Sequence, residues 1–369
     1  MIKPFYDLRR LACVLAFALP TVAAAAEPVP NLDALRQEIW RSFDQVRQDQ
    51  DRLPPTRRAT GDALRRAELL ARAPVIRRLQ AVVEGDASND VRIEALGLIL
   101  EWGAPDAAGQ ALGRLAADHP DDDGTATVLQ TAYGQTPAPD KRAQLEALGR
   151  RTRSRAVAGT ALFLLAQETL TGAGPPPSAD ARAAALHRLQ QVRDAYGDAP
   201  SVLLGSGAPP RLGTAAAALM FQTERLAVGA VLPPIAVRTL DGAPANSAAF
   251  QGRLTLIDLW ATWCPPCVAG LPELKALSAT YGPDRLNIVS ISADDDPAMV
   301  ARFVARQSLT WTQWRVGSGG KLSEDWLNGA YPLYILVGPD GRIAATGASV
   351  AAVAPALKAL ASQSPPGPA

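Results

Sequence analysis

Cysteine is almost missing from this chain: three residues in 369, at Cys13, Cys264 and Cys267. Histidine is scarcer, with only His119 and His187, both far in sequence from the last two cysteines. A structural zinc site around that pair would need two further Cys or His ligands, and none is near, so the sequence argues against metal. A mechanism that leans on a neighbouring histidine is handicapped for the same reason. Excess charge of one sign is also missing. Lys plus Arg number 37 against 36 Asp plus Glu, for a net charge of +1, which argues against a nucleic-acid-binding stripe or a polyanion trap. Long apolar runs are missing too. The run Leu11 to Leu19 is too short for a comfortable membrane span, and no other is longer.

What stands around that short run has a pattern of its own. Lys3, Arg9 and Arg10 give a positive start, and Ala24-Ala25-Ala26 before Glu27 gives a small-residue cleavage site. This predicts a signal peptide over 1–26 and an exported, periplasmic protein. The alternative is an uncleaved segment that anchors the chain to the inner membrane. Arg10 stands where a lipoprotein signal wants leucine, so lipidation at Cys13 is not expected. After cleavage only Cys264 and Cys267 remain, in a compartment where disulfides persist.

The length suits roughly two domains of about 150 residues each. From Leu32 to Leu226 the chain is rich in Ala, Leu and Arg, with apolar residues at helical spacing, as in DALRRAELLARAPVIRRLQAVVEG. Breaks recur at Pro54-Pro55, Gly85 to Asn89, Asp118 to Gly124, Thr136 to Asp140 and Gly172 to Pro177. This predicts an all-helical domain over 27–226, irregular or solenoid-like, read either as a spacer or as a docking surface for a protein partner. After it the pattern changes. GRLTLIDLWA, LNIVSIS, YPLYILV and RIAATGA read as strands, alternating first with helical segments and closing with a GPDG hairpin. An α/β domain over 227–362, a mixed sheet flanked by helices, is expected, with a disordered tail over 363–369.

Cys264 and Cys267 follow the strand LIDLWA directly, with Pro265 and Pro266 between them. Prolines fit a first helical turn, where a missing N–H costs no helical bond. Residues at i and i+3 share a helix face, so the two sulfurs can reach bonding distance. Cys264 at the helix start would feel the unpaired amides and the positive end of the dipole, which stabilise a thiolate. A disulfide closing so short a loop stabilises little, so the pair suits switching better than holding. Cys264 is the expected attacking thiolate and Cys267 the resolving thiol. No cofactor is expected beyond the Cys264–Cys267 disulfide.

Residues 228–362 resemble the thioredoxin superfamily, and within it the exported TlpA/ResA-like branch. The likeness rests on GAVLPPIAVRTLDG, LIDLWATWCPPC and AYPLYILVGPDGRI. It implies a nucleophile at Cys264, a resolving thiol at Cys267 and a buried proton-relaying acid at Asp258. It places a cis-proline at Pro332, with the backbone of Tyr331 available to substrate. Trp263 would shield the site, Trp260 would pack the core and Pro272 would kink the helix. It further implies thiol–disulfide exchange with client proteins that bear Cys thiols or disulfides, and a membrane electron donor of the thiol-disulfide transporter type. Reduction in the service of cytochrome c or metalloprotein maturation follows as the process. Two departures stand out. Gly270 replaces the glutamate that some members carry three residues after the second cysteine, and Tyr331 is bulky where a small residue is frequent.

The rivals are a disulfide oxidase or isomerase on the same scaffold, a peroxiredoxin, and a binding scaffold whose helical domain does the main work. A peroxiredoxin would expect Thr-x-x-Cys, and Cys264 takes the threonine's place. The run VGSGGKLSE from Val316 is read as a surface loop rather than a phosphate cradle, since Leu322 occupies the Ser/Thr position. Asp294 to Asp296 reads as a helix start, and Asp121 to Asp123 as a solvated turn. Trp311 and Trp314 are read as sheet packing.

Overall fold

The computed structural model describes residues 31–172, 176–202, 211–317, 322, 326 and 331–363. The signal peptide expected over 1–26 lies outside these residues, as does most of the glycine-rich loop after Gly317. So does the expected tail from 364 onward, while Gln363 closes the last helix.

The N-terminal described part is helical: α1 (Leu32–Asp51), α2 (Gly61–Glu84), α3 (Asn89–Trp102), α4 (Pro105–Asp118), α5 (Asp123–Ala132), α6 (Lys141–Arg151), α7 (Arg155–Thr171), α8 (Ala179–Tyr196) and α9 (Leu212–Arg225). Short polar side chains open many of them. Asn31, Ser88, Asp122, Ser154 and Ser178 each accept a first-turn amide, satisfying a donor the helix itself cannot. Helices α1 to α4 and α6 to α9 pack each on the next as hairpins, and α1, α3, α5, α7 and α9 also pack one on the next. The odd helices therefore form one layer of a stack, and α4 packs on α6 in the other. α7 lies at the centre. Phe163, Leu164, Leu165 and Ala166 are all buried, so the helix is apolar all round and shows no stripe.

The C-terminal part is one sheet of order β2-β1-β5-β4-β3-β6-β7. Its strands are β1 (Ala236–Thr239), β2 (Pro244–Asn246), β3 (Thr255–Trp260), β4 (Asn287–Ser292), β5 (Thr312–Arg315), β6 (Leu333–Val337) and β7 (Ile343–Gly347). β3, β4 and β5 run parallel; the other pairings are antiparallel. α10 (Pro265–Arg285) joins β3 to β4, α11 (Pro297–Arg306) joins β4 to β5, and α12 (Val350–Gln363) follows β7. β5 is a strand that sequence alone does not announce. Thr312 and Gln313 break its hydrophobic pattern, and it forms because β4 and β1 flank it.

Strand alternation splits the core in two. Leu256, Trp260, Ile288, Tyr334 and Leu336 pack on the face covered by α10, α11 and α12. Ile257, Leu259, Val289, Ile291 and Ile335 pack on the other, which Phe250, Trp314 and Trp326 cover. α9 reaches that second face. The Phe221 ring lies 6.2 Å from Trp326, and the Gln222 side chain donates to the Trp326 carbonyl at 2.5 Å. The chain just after α9 lies along the outer edge of β7, where Gly229 and Leu232 donate to Ile343 and Gly341. That edge is thereby closed to pairing with another chain.

Candidate active site

β3 is buried at all six positions and hydrogen-bonded on both sides, so its end is fixed by the sheet. A continuous apolar run is what a central parallel strand requires. Three residues beyond Ala261, at Cys264, the chain turns into α10. Cys264 is the helix N-cap, with Pro265 at the first helical position, and its sulfur accepts the Cys267 amide at 3.2 Å. Cys264 and Cys267 are joined in a disulfide, their Cα atoms 5.3 Å apart. Both are buried, at 4% and 2% exposure.

The other residues singled out from sequence gather at this point or below it. Trp263 is 55% exposed, and its ring stands edge-on to Tyr331 with centroids 5.4 Å apart. The Tyr331–Pro332 peptide is cis, and Pro332 is buried. Trp260 is buried against Phe303 at 5.4 Å. Pro272 lies inside α10. Asp258 is 1% exposed and shares the face of Leu256 and Trp260, both of which pack in the cluster that holds the two cysteines. Ser290 donates to its Oδ2 at 2.9 Å, and Oδ1 has no protein partner. Burial pushes this carboxyl from the ordinary 3.8 up to about 7, against the smaller opposing pull of the Ser290 hydroxyl.

The redoxin family profile matches residues 227–360. A thiol:disulfide interchange protein CycY from Rhizobium leguminosarum bv. viciae is 35% identical over 115 residues, 31% of this chain and 60% of that protein. A thiol-disulfide oxidoreductase ResA from Bacillus thuringiensis subsp. konkukian is 25% identical over 120 residues, 32% of this chain and 69% of that protein. The C-terminal domain is a redoxin domain. A solved thiol-disulfide oxidoreductase from Bacteroides fragilis is 26% identical to it; the match covers 35% of this chain and 98% of that one, with a TM-score of 0.33.

Two residues of the redoxin domain escape sequence reasoning. Asp294 is buried, and its carboxylate accepts from the Thr262 amide at 2.9 Å, the Thr262 hydroxyl at 2.6 Å and the Ser292 hydroxyl at 2.7 Å. It pins the loop before Cys264 to the end of β4. The cap of α11 is Asp296, so the acidic run read as a helix start holds only one cap. The signal was available in its position directly after a strand, but three adjacent aspartates concealed which one turns inward. Asp294→Ala should lower stability by about 2–3 kcal/mol, since three donors lose a charged acceptor. Urea unfolding at neutral pH measures it, and an unchanged midpoint would refute the clamp.

Tyr334 is the second, and it explains Gly270. The two lie face to face: a Cβ built on Gly270 would stand 2.7 Å from the Tyr334 hydroxyl oxygen. The hydroxyl fills the space that a side chain at 270 would enter, so glycine is required despite its low helix propensity. Gly270→Ala is expected to destabilise by about 1–3 kcal/mol through overpacking. In a Tyr334→Phe background the same change should be neutral or stabilising, because the clashing atom is gone. A double-mutant cycle by thermal unfolding reads the coupling; strict additivity would show that the two do not compete for space.

Proposed function

We propose that the redoxin domain exchanges disulfides with client proteins through Cys264 and Cys267, acting as a reductase. The observation that carries this is the bonded pair at the N-terminus of α10, with Cys264 as the cap residue. In the reduced state the cap amide and the helix dipole favour a thiolate on Cys264. That thiolate attacks a client disulfide, forming a mixed disulfide and releasing one client thiolate. Cys267 then gives its proton to Asp258 and attacks the Cys264 sulfur, and the second client thiolate leaves. Two electrons pass from the pair to the client. Trp263 and Tyr331 supply the apolar rim against which the client cysteine rests.

The pair must be re-reduced, and a membrane thiol-disulfide transporter is the electron donor we assign. The N-terminal charge and alanine pattern supports export to the periplasm, and the resemblance to the exported TlpA/ResA-like branch supports clients of the cytochrome or metalloprotein maturation type. Among the described residues no helix is long and apolar enough to cross a membrane. The helical layers serve as the docking surface for a protein partner.

The reading is tested by equilibrium with glutathione or dithiothreitol and by insulin reduction. A reductase expects a potential below about −220 mV and turnover lost in Cys264→Ser. A potential near −120 mV, roughly that of a strong oxidant, would make the protein an oxidase instead.

A further inference from the structure

We propose that Ser290 and Trp311 are positioning residues that orient the Asp258 carboxyl and reserve one of its oxygens for the proton of Cys267. This rests on the relay reading of Asp258 given above. The Trp311 indole N–H donates to the Ser290 hydroxyl oxygen at 2.9 Å, and the Ser290 hydroxyl donates to Asp258 Oδ2 at 2.9 Å. Ser290 and Asp258 are directly opposite in the parallel β3–β4 ladder, and both are buried.

The direction of this chain is fixed by chemistry. An indole N–H can only donate, so the Ser290 oxygen must be its acceptor. The single serine proton is then left for Oδ2. Unsupported, a serine hydroxyl is a rotor that could accept from a protonated carboxyl as readily as donate to it. With the indole in place, Oδ2 stays an acceptor in both protonation states, and the incoming proton must settle on Oδ1. That is the carboxyl oxygen without a protein partner. Packing alone does not call for this arrangement, because the strand neighbours of Ser290, Ile288, Val289 and Ile291, are buried aliphatic side chains.

The other titratable groups around Asp258 are few. Tyr334 faces it from β6, and its phenol is pushed up by burial first and then by Asp258 and by Glu273 of α10. Cys264 and Cys267 stand on α10 in the same core. No basic side chain is paired with it among the described residues, so the serine–indole chain does what a nearby cation would otherwise do.

The test uses the full chain with Ser290→Ala, Ser290→Thr, Trp311→Phe and an Asp258→Asn control. The Asp258 carboxyl is followed by carbon NMR, and release of a preformed mixed disulfide with insulin is timed across pH. Ser290→Ala should raise the carboxyl midpoint by about one pH unit, and Trp311→Phe by less, because the ring remains while its donor is lost. Ser290→Thr keeps the hydroxyl and should restore the wild-type midpoint. The release profile should move with the carboxyl, giving several-fold slower release near neutrality that recovers at higher pH. An unmoved midpoint in both Ser290→Ala and Trp311→Phe overturns the assignment of this pair. A midpoint that moves while the release profile stays in place, with Asp258→Asn as fast as wild type, overturns the relay on which it rests.

Discussion

Asp258→Ala is expected to abolish a loss of stability that the oxidised wild type suffers between about pH 4 and pH 8, amounting to about 4 kcal/mol. The carboxyl ordinarily titrates at 3.8 and does so at about 7 in the folded chain. Its folded pKa is raised, so the folded state holds the proton more tightly than the unfolded one. Below the unfolded pKa both states are protonated and the group is neutral to stability. As pH rises past 3.8 the unfolded chain ionises freely while the folded one cannot, and stability falls. The fall stops once pH passes the folded value near 7. Each of the roughly three pH units is worth about 1.4 kcal/mol. The variant leaves a small cavity, but that cost is the same at both pH values and cancels in the comparison. Urea unfolding of both proteins at the two pH values reads the difference. Parallel pH dependence in the two would mean that Asp258 is ordinarily acidic in the fold, and the relay role would fall with it. The same substitution should slow release of the client, so stability and turnover would move in opposite directions.

Cys267→Ala is expected to arrest the protein on its client. Cys264 still attacks, but the intramolecular thiol that ends the mixed disulfide is gone. The two Cα atoms are 5.3 Å apart, so the native attack is a short-range, pre-oriented event. Effective molarities for such reactions reach about 10⁵ M or more, and millimolar external thiol is a poor replacement. Release should therefore slow by at least about 10³-fold. Non-reducing electrophoresis with insulin, followed by mass spectrometry, should find the adduct on Cys264. Cys264→Ala should yield none. An adduct that forms equally well in Cys264→Ala would reverse the roles of the two thiols.

The strongest features of the C-terminal domain were legible because each is local. LIDLW reads as a mostly apolar strand by its composition, and two prolines after Cys264 mark a helix start, so the bonded pair at that start follows from about a dozen residues. The helical stretch was legible through spacing and breaks: Pro54-Pro55, Gly85 and Gly172 all lie between helices. The partner strand β5 was not legible, because Thr312 and Gln313 owe their place to neighbours distant in sequence.

The sequence by itself determined where the candidate chemical groups stand: two sulfurs three residues apart, an acid in an apolar strand and a proline ahead of β6. Local order suffices there, since a strand, a cap and a first turn are short-range structures. Only the tertiary structure decided how those atoms are tuned. Ser290 reaches Asp258 because β4 lies beside β3, Trp311 reaches Ser290 from just ahead of β5 beside β4, Asp294 reaches Thr262 across the β3–β4 pair, and Tyr334 meets Gly270 where β6 faces α10. Hydrogen bonds and contact distances between residues twenty to more than sixty positions apart depend on the register of the whole sheet, and no short window of sequence contains that register.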